Sequence, residues 1–420
     1  MFRSPKIMAL LSLLGLFTAG LGTVFWQRSL DTAYSNARRA VTRGDWEVAI
    51  VLLERYLLSR PDDANARLLI AESLVSSKGP AAYHRISQAV KHLQHVASDD
   101  PLAAKAKIQE GRLSLFLLKK PAAAESALTE ALRIDTRSTE ANLLMWQLLD
   151  LTGRHVYCER YFWSAFETIP SEQRPSLLRD WFLSEFYPDQ LYAELFQQMD
   201  ITSGQYPPMV KLMVQFRESE PEATFLHAAI ARYFHDAGNL KGAIELLNEC
   251  PDVTAGMKDP FFVDVLFETL VDLGEPQKAE TCFSEFPTPH SGYLFYRTEG
   301  MFYDYLKNNS EAAVRSYQLA LETPPARFDW GLMNRLTVCL KKLGRNEESE
   351  RLQTKVDYLT RQVLTVEETS ELRKILSAPL RAQDASRFAE FYSKFELNKE
   401  VSAWSQYQKE LEKILPDAGP

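Results

Sequence analysis

The chain lacks the short motifs on which most soluble enzymes rest. No P-loop, dinucleotide-binding glycine fingerprint, HExxH or GxSxG occurs anywhere in it, so no phosphate cradle, zinc-protease helix or nucleophile elbow is expected. Its 17 glycines are mostly placed as turn residues, which leaves few for holding a phosphate. Cysteine is equally sparse. Four are scattered at Cys158, Cys250, Cys282 and Cys339 with no CxxC and no close pair, which fits neither a disulfide framework nor a zinc spacing and predicts reduced, buried thiols. A basic excess is missing too, since 48 Lys and Arg face 56 Asp and Glu for a formal charge of −8. Nucleic acid is therefore not expected as a partner, because phosphate binding calls for a basic stripe. Catalysis, a cofactor, a metal or a small-molecule substrate is not expected either.

What is present describes a folded chain with an unusual start. Hydrophobic residues make up 45% and charged residues 25% of 420 positions, ordinary for a soluble protein and long enough for two or three domains. The run Ile7–Trp26 has twenty residues and no charge. At ~1.5 Å per residue it would span the ~30 Å hydrocarbon core as a helix, with Phe25 and Trp26 at the interface. A cleaved signal, helped by small residues at Thr18, Gly20 and Gly22, is the alternative. Residues 1–29 are therefore expected to be a membrane anchor or signal sequence. Arg3 and Lys6 favour a cytoplasmic start and an extracytoplasmic body, although Arg28, Arg38, Arg39 and Arg43 follow on the other side.

The body repeats itself. Small residues at Ala49, Ala89, Ala124, Cys158, Ala243, Ala279, Ala313 and Ser349 are separated by 40, 35, 34, 85, 36, 34 and 36 positions. The long gap has room for two weaker units. Around the markers the local pattern recurs: GDWEVAIVLLERYLLSRP, GRHVYCERYFWSAFETIP, AGNLKGAIELLNECP and LGEPQKAETCFSEF each place a glycine five residues before the small residue, with an apolar stripe at helical spacing after it. Another apolar-periodic run precedes each glycine. The unit is helix, glycine turn, helix, and often a proline stop such as Pro325.

These residues resemble the tetratricopeptide repeat, a 34-residue helix pair, over roughly 30–358. The resemblance implies an all-α, right-handed superhelical solenoid of antiparallel helix pairs behind the N-terminal helix. It places units in 30–170, degenerate helical repeats in 171–222 and further units in 223–358. The small position of the family's first helix is matched at Ala37, Ala71, Gly111, Ala231 and Gly300, and departs at Trp146 and Phe267. Residues 359–420 carry aromatic stripes, Phe388, Phe391, Tyr392 and Phe395 and then Trp404 and Tyr407, and are expected to form helices that cap the solenoid.

Two further groups carry side chains suited to a site. His92 and His95 stand at i and i+3 with His84, Asp99 and Asp100 near in sequence, a spacing that can share a metal; without a third ligand in register, a solvated repeat face is the expectation. In the tetratricopeptide family the first helices line a groove that receives a peptide. Carried over by position, that geometry makes Tyr34 and Arg38, Arg112 and Phe116, Arg232 and His235, and Arg297 and Tyr305 the groove contacts. Arginine beside an aromatic can grip a carboxylate or stack on planar groups. Arg38 stands where the family's chaperone-tail clamp has asparagine, which disfavours that ligand. The expected function is a non-enzymatic, membrane-tethered scaffold for protein partners. The alternatives are a signal-cleaved periplasmic or secreted adaptor, or a regulatory subunit of an envelope enzyme complex.

Overall fold

A computed structural model describes residues 30–77, 82–201, 206–323, 328–363, 367–376 and 378–414. All regular structure among them is helical. The apolar run at 7–26 lies outside the described residues, as does Pro325; among the described residues no helix is long and apolar enough to cross a membrane. The chain divides into two compact units, Met1–Thr136 and Arg137–Pro420. The division falls inside the block 30–170 that the sequence groups together.

The first unit contains α1 (30–43), α2 (Trp46–Leu57), α3 (Ala64–Ser76), α4 (Ala82–Gln94), α5 (Ala103–Phe116) and α6 (Pro121–Ile134). The second opens with α7 (Thr139–Leu151), α8 (Cys158–Thr168) and α9 (Arg174–Phe186). The weakly repeated stretch continues through the short α10 (Pro188–Leu191) and α11 (Ala193–Gln198) to α12 (Pro208–Ser219). Regular pairs then resume with α13 (Thr224–Asp236) and α14 (Leu240–Asn248). After the single turn α15 (Val253–Gly256) come α16 (Pro260–Asp272) with α17 (Pro276–Ser284), α18 (Tyr293–Met301) with α19 (Ser310–Leu321), and α20 (Trp330–Lys342) with α21 (Asn346–Tyr358). The tail is α22 (Glu367–Ile375), α23 (Ala382–Ser393) and α24 (Asn398–Ile414).

The small-residue register is realised in the packing. Ala49, Ala89, Ala124, Ala243, Ala279, Ala313 and Ser349 are all fully buried and Cys158 is nearly so. A β-carbon added at Gly300 would stand 2.3 Å from the Tyr317 ring, and one at Gly111 would stand 2.7 Å from Leu128. These glycines let the two helices of a pair approach as closely as a large side chain on the second helix requires. Trp146 and Phe267, where the pattern calls for a small residue, are buried among other rings: Trp146 lies 5.4 Å from Phe162 and 6.2 Å from Trp181, and Phe267 lies 6.0 Å from Phe283.

The turn register is equally regular. Gly44, Gly153, Gly238, Gly274 and Gly344 take φ between 69° and 77°, the left-handed conformation that reverses the chain between helices. Lys119 and Asn308, five residues before Ala124 and Ala313, take φ of 57° and 48°. The geometry of the turn is thus kept where glycine is not.

The tail makes contacts beyond those expected of an end cap. Tyr358 at the end of α21 packs on Phe395, as a cap would require. But Phe388 and Phe391 on α23 lie 5.2 and 6.1 Å from Phe182 on α9, Tyr392 donates a hydrogen bond to Glu185 at 3.0 Å, and Tyr187 shares one with Thr369 at 2.9 Å. Within the second unit the last helices therefore return to the third, and their aromatic stripe is consumed in that closure. Trp404, fully buried and stacked 4.3 Å from Phe388, ties α24 to the same cluster.

Candidate functional site

In the second unit the first helices of four successive pairs, α13, α16, α18 and α20, contribute to one cleft of about 540 Å³. Its wall is built around two acids. PFFVDVLFETLVD, the sequence of α16, is apolar except for Asp264, Glu268, Thr269 and Asp272. Asp264 and Glu268 stand at i and i+4, on one face of the helix, and both are buried.

Three arginines from the flanking helices converge on them. Arg232 of α13 reaches Asp264 Oδ2 at 2.5 Å and also pairs with Glu268. Arg297 of α18 donates to both oxygens of Asp264, at 2.8 and 2.9 Å, and to Glu268 Oε2 at 2.5 Å. Arg335 of α20 donates to Glu268 Oε1 at 2.8 Å. Thr298 adds a hydrogen bond to Asp264 Oδ1 at 2.9 Å. Arg297 Nε also lies 3.5 Å from Asp329, whose other oxygen caps α20 by accepting from the Leu332 amide at 2.8 Å. Tyr293 closes the set with a hydrogen bond to Asp329.

The electrostatics follow from this crowding. Burial pushes the Glu268 carboxyl up, but Arg297, Arg232 and Arg335 outweigh it and hold the group well below the usual carboxylate range. Burial likewise works to lower the arginines, but Asp264 and Glu268 outweigh it for Arg232 and Arg297, and Glu268 does so for Arg335, so that all three are raised. Each guanidinium is anchored by carboxylates, and the side chains of Arg232, Arg297 and Arg335 remain 22, 12 and 20% exposed toward the cleft. The network fixes the positions of four helices in a region where an unpaired charge would be costly.

Of the eight groove positions expected from the sequence, four belong to this unit. Arg232 and Arg297 meet in the network described. His235, on the same helix as Arg232, lies 2.9 Å from Asp272 and 3.1 Å from Asp236, and the hydrogen bonds to Asp236 and Asp272 push its pKa up to about 9. Tyr305 is half exposed with the Arg335 guanidinium 5.4 Å from its ring. The other four lie in the first unit. Tyr34 packs 5.1 Å from Tyr56, whose hydroxyl donates to Asp63 at 2.7 Å, and Phe116 is half-buried. Arg38 and Arg112 are exposed.

Sequence reasoning missed the acids, Arg335, Asp329 and the half-exposed Trp330 on the cleft rim. A signal for the acids was present: two carboxylates one turn apart in an otherwise apolar helix must find cations when that helix is buried. In the turn after α4, His95 Nδ1 lies 2.6 Å from the Lys91 carbonyl, and on α4 His92 is held below its ordinary value by burial and by Arg67 and His95.

No protein-family model matches the sequence, and no curated protein matches it. Solved structures align over much of the length at low similarity. The APC/C hetero-tetramer Cut9–Hcn1 aligns at 13% identity, with 92% of this chain and 90% of that chain covered and a TM-score of 0.38. A Rap protein complexed with competence and sporulation factor aligns at 11%, with 80% and 99% covered and a TM-score of 0.33. The human IFIT1 dimer with m7Gppp-AAAA aligns at 14%, with 78% and 81% covered and a TM-score of 0.28.

Proposed function

We propose that this chain is a non-enzymatic scaffold of helical pairs, tethered to a membrane by the apolar run at 7–26, and that it binds a segment of a partner protein in the cleft of its second unit. The observation that carries the reading is the cleft itself. It is lined by the first helices of four successive pairs, floored by an ion-pair network and edged by the half-exposed ring of Trp330, with the half-exposed Tyr305 packed behind Arg335. Aromatic rings beside a rigid polar floor are the usual anchors of a bound peptide. Arg232 and Arg297 act here mainly as part of the floor, because a ligand carboxylate must compete with Asp264 and Glu268 for them. Arg38 and Arg112 with Tyr34 and Phe116 offer a second set of contacts on the first unit. A tether of this kind would raise the effective concentration of partners held at the membrane.

The test is site-specific photocrosslinking in native membranes from positions 305 and 330, with identification of what is captured. Capture from position 305 that falls at least several-fold in Trp330→Ala, and from position 330 in Tyr305→Ala, with helical content unchanged, is the expected result. No capture from either position, or capture indifferent to both substitutions, would refute the cleft as the binding face. N-terminal sequencing of the mature chain tests the tether: a start near Leu21 or Thr23 means a cleaved signal and a released adaptor.

A further inference from the structure

The turn between α7 and α8 gathers three side chains with the donor chemistry of a transition-metal site. Asp150 lies in the last turn of α7, His155 in the single 3₁₀ turn that follows, and Cys158 opens α8. Their donor atoms, a carboxylate oxygen, an imidazole nitrogen and a thiol sulfur, all lie within 4.8 Å of one another. The spacing in sequence is so short that folding of one helical pair assembles the whole set.

Asp150 gives the arrangement its direction. Its side chain is fully buried. Oδ2 accepts a hydrogen bond from the Tyr192 hydroxyl at 2.6 Å, which fixes the plane of the carboxylate and commits that oxygen. Oδ1 faces His155 Nδ1 at 2.8 Å, an ion pair whenever the ring is protonated. A carboxylate oxygen and an imidazole nitrogen this close can serve one cation as two ligands, the cation taking the place of the ring proton between them. Cys158 Sγ completes the third side, 3.7 Å from the Trp146 carbonyl and 3.9 Å from that of Arg154.

We propose that Asp150, His155 and Cys158 bind a Zn²⁺ ion in the α7–α8 turn. Carboxylate and thiolate together neutralise the divalent charge, and sulfur with imidazole selects zinc over magnesium or calcium. Three protein ligands leave the fourth tetrahedral position to water. His155 is half exposed and lines the same cleft as Arg232 and Arg297, so an ion has a path in from the cleft. Tyr192 acts as the positioning residue that orients the ligating carboxylate.

The experiment uses the full chain, stripped with a chelator and titrated with Zn²⁺ alone by calorimetry and with Co²⁺ alone by absorption. One Zn²⁺ per chain is expected, together with a sulfur-to-cobalt charge-transfer band and the intense visible bands of tetrahedral Co²⁺. Cys158→Ser abolishes the charge-transfer band. His155→Ala, at a half-exposed position that leaves the fold intact, removes stoichiometric binding. Tyr192→Phe keeps the band and weakens Zn²⁺ affinity by about 10–100-fold. His92→Ala changes nothing. Absence of the charge-transfer band at saturating Co²⁺ overturns the proposal. So does Zn²⁺ binding that survives His155→Ala with circular dichroism unchanged, or that disappears in His92→Ala, since the ion would then sit elsewhere.

Discussion

Substituting alanine or glycine at the inter-helix turns separates backbone conformation from every other effect. Lys119 and Asn308 occupy the left-handed turn position with φ of 57° and 48°, where other pairs have glycine. A side chain in that conformation costs ~1–2 kcal/mol, and glycine's greater freedom in the unfolded chain gives back ~0.4–1 kcal/mol. Comparing Lys119→Gly with Lys119→Ala cancels the lost lysine contacts, because both substitutions remove them. The glycine variant is expected to be the more stable by roughly 0.5–1 kcal/mol, or about 2–8 °C in the melting midpoint of a unit this size. Gly274→Ala is the converse. Nothing lies within 4 Å of the added β-carbon, so a loss of similar size would come from φ alone. Asn308→Gly should gain less than Lys119→Gly, since asparagine tolerates the left-handed region better. Urea and thermal unfolding of the full chain by circular dichroism provide the measurement. Lys119→Ala at least as stable as Lys119→Gly would refute the argument, because the turn would then not require a left-handed residue.

Three other outcomes follow from the packing and the charges. Gly300→Ala should destabilise despite a gain of ~1 kcal/mol in helix propensity, and more than Gly111→Ala, because its β-carbon meets the buried Tyr317 ring at 2.3 Å and not a flexible leucine; Tyr317→Phe should cost nothing, its hydroxyl being buried without a partner, and denaturant midpoints check both. Asp264→Asn removes one of the two acids that hold three arginines and should cost ~3–5 kcal/mol; a loss under about 1 kcal/mol in the same assay would mean the network does not stabilise the unit. His235, raised to about 9 from an ordinary 6.5, contributes stability that is fully present below pH 6.5 and lost as pH rises through about 9. An NMR titration of the ring should show that midpoint, and the decline in melting temperature over the window should flatten in His235→Gln.

The repeat was legible because it is written in residue size and backbone freedom, which the chain carries locally. Ala313, Ala243 and Gly300 are small where two helices meet, and that holds in every context that stacks such pairs. Gly238 and Gly274 mark turns for the same local reason. Lys119 and Asn308 escaped because the turn can impose its conformation on a residue that does not favour it. The groove positions were harder. Arg232 and Arg297 could be placed on inward faces by counting, but their engagement depends on Asp264 and Glu268, separated from them by 29 to 36 positions and matched only when α13, α16 and α18 stand side by side. Asp150, His155 and Cys158 escaped because no zinc spacing pairs one aspartate, one histidine and one cysteine across a helical turn.

The sequence by itself determined an all-helical chain of paired helices, their register, the turns marked by glycine and the uncharged segment at 7–26. These rest on periodicity, side-chain volume and glycine's freedom, which act within one or two helices. Only the tertiary structure decided that the chain divides at Thr136, that the tail returns to α9, and that the arginines of the cleft are held by buried acids. Those outcomes depend on which faces meet across long separations, where burial turns an isolated charge into a penalty and a paired one into a fixed point.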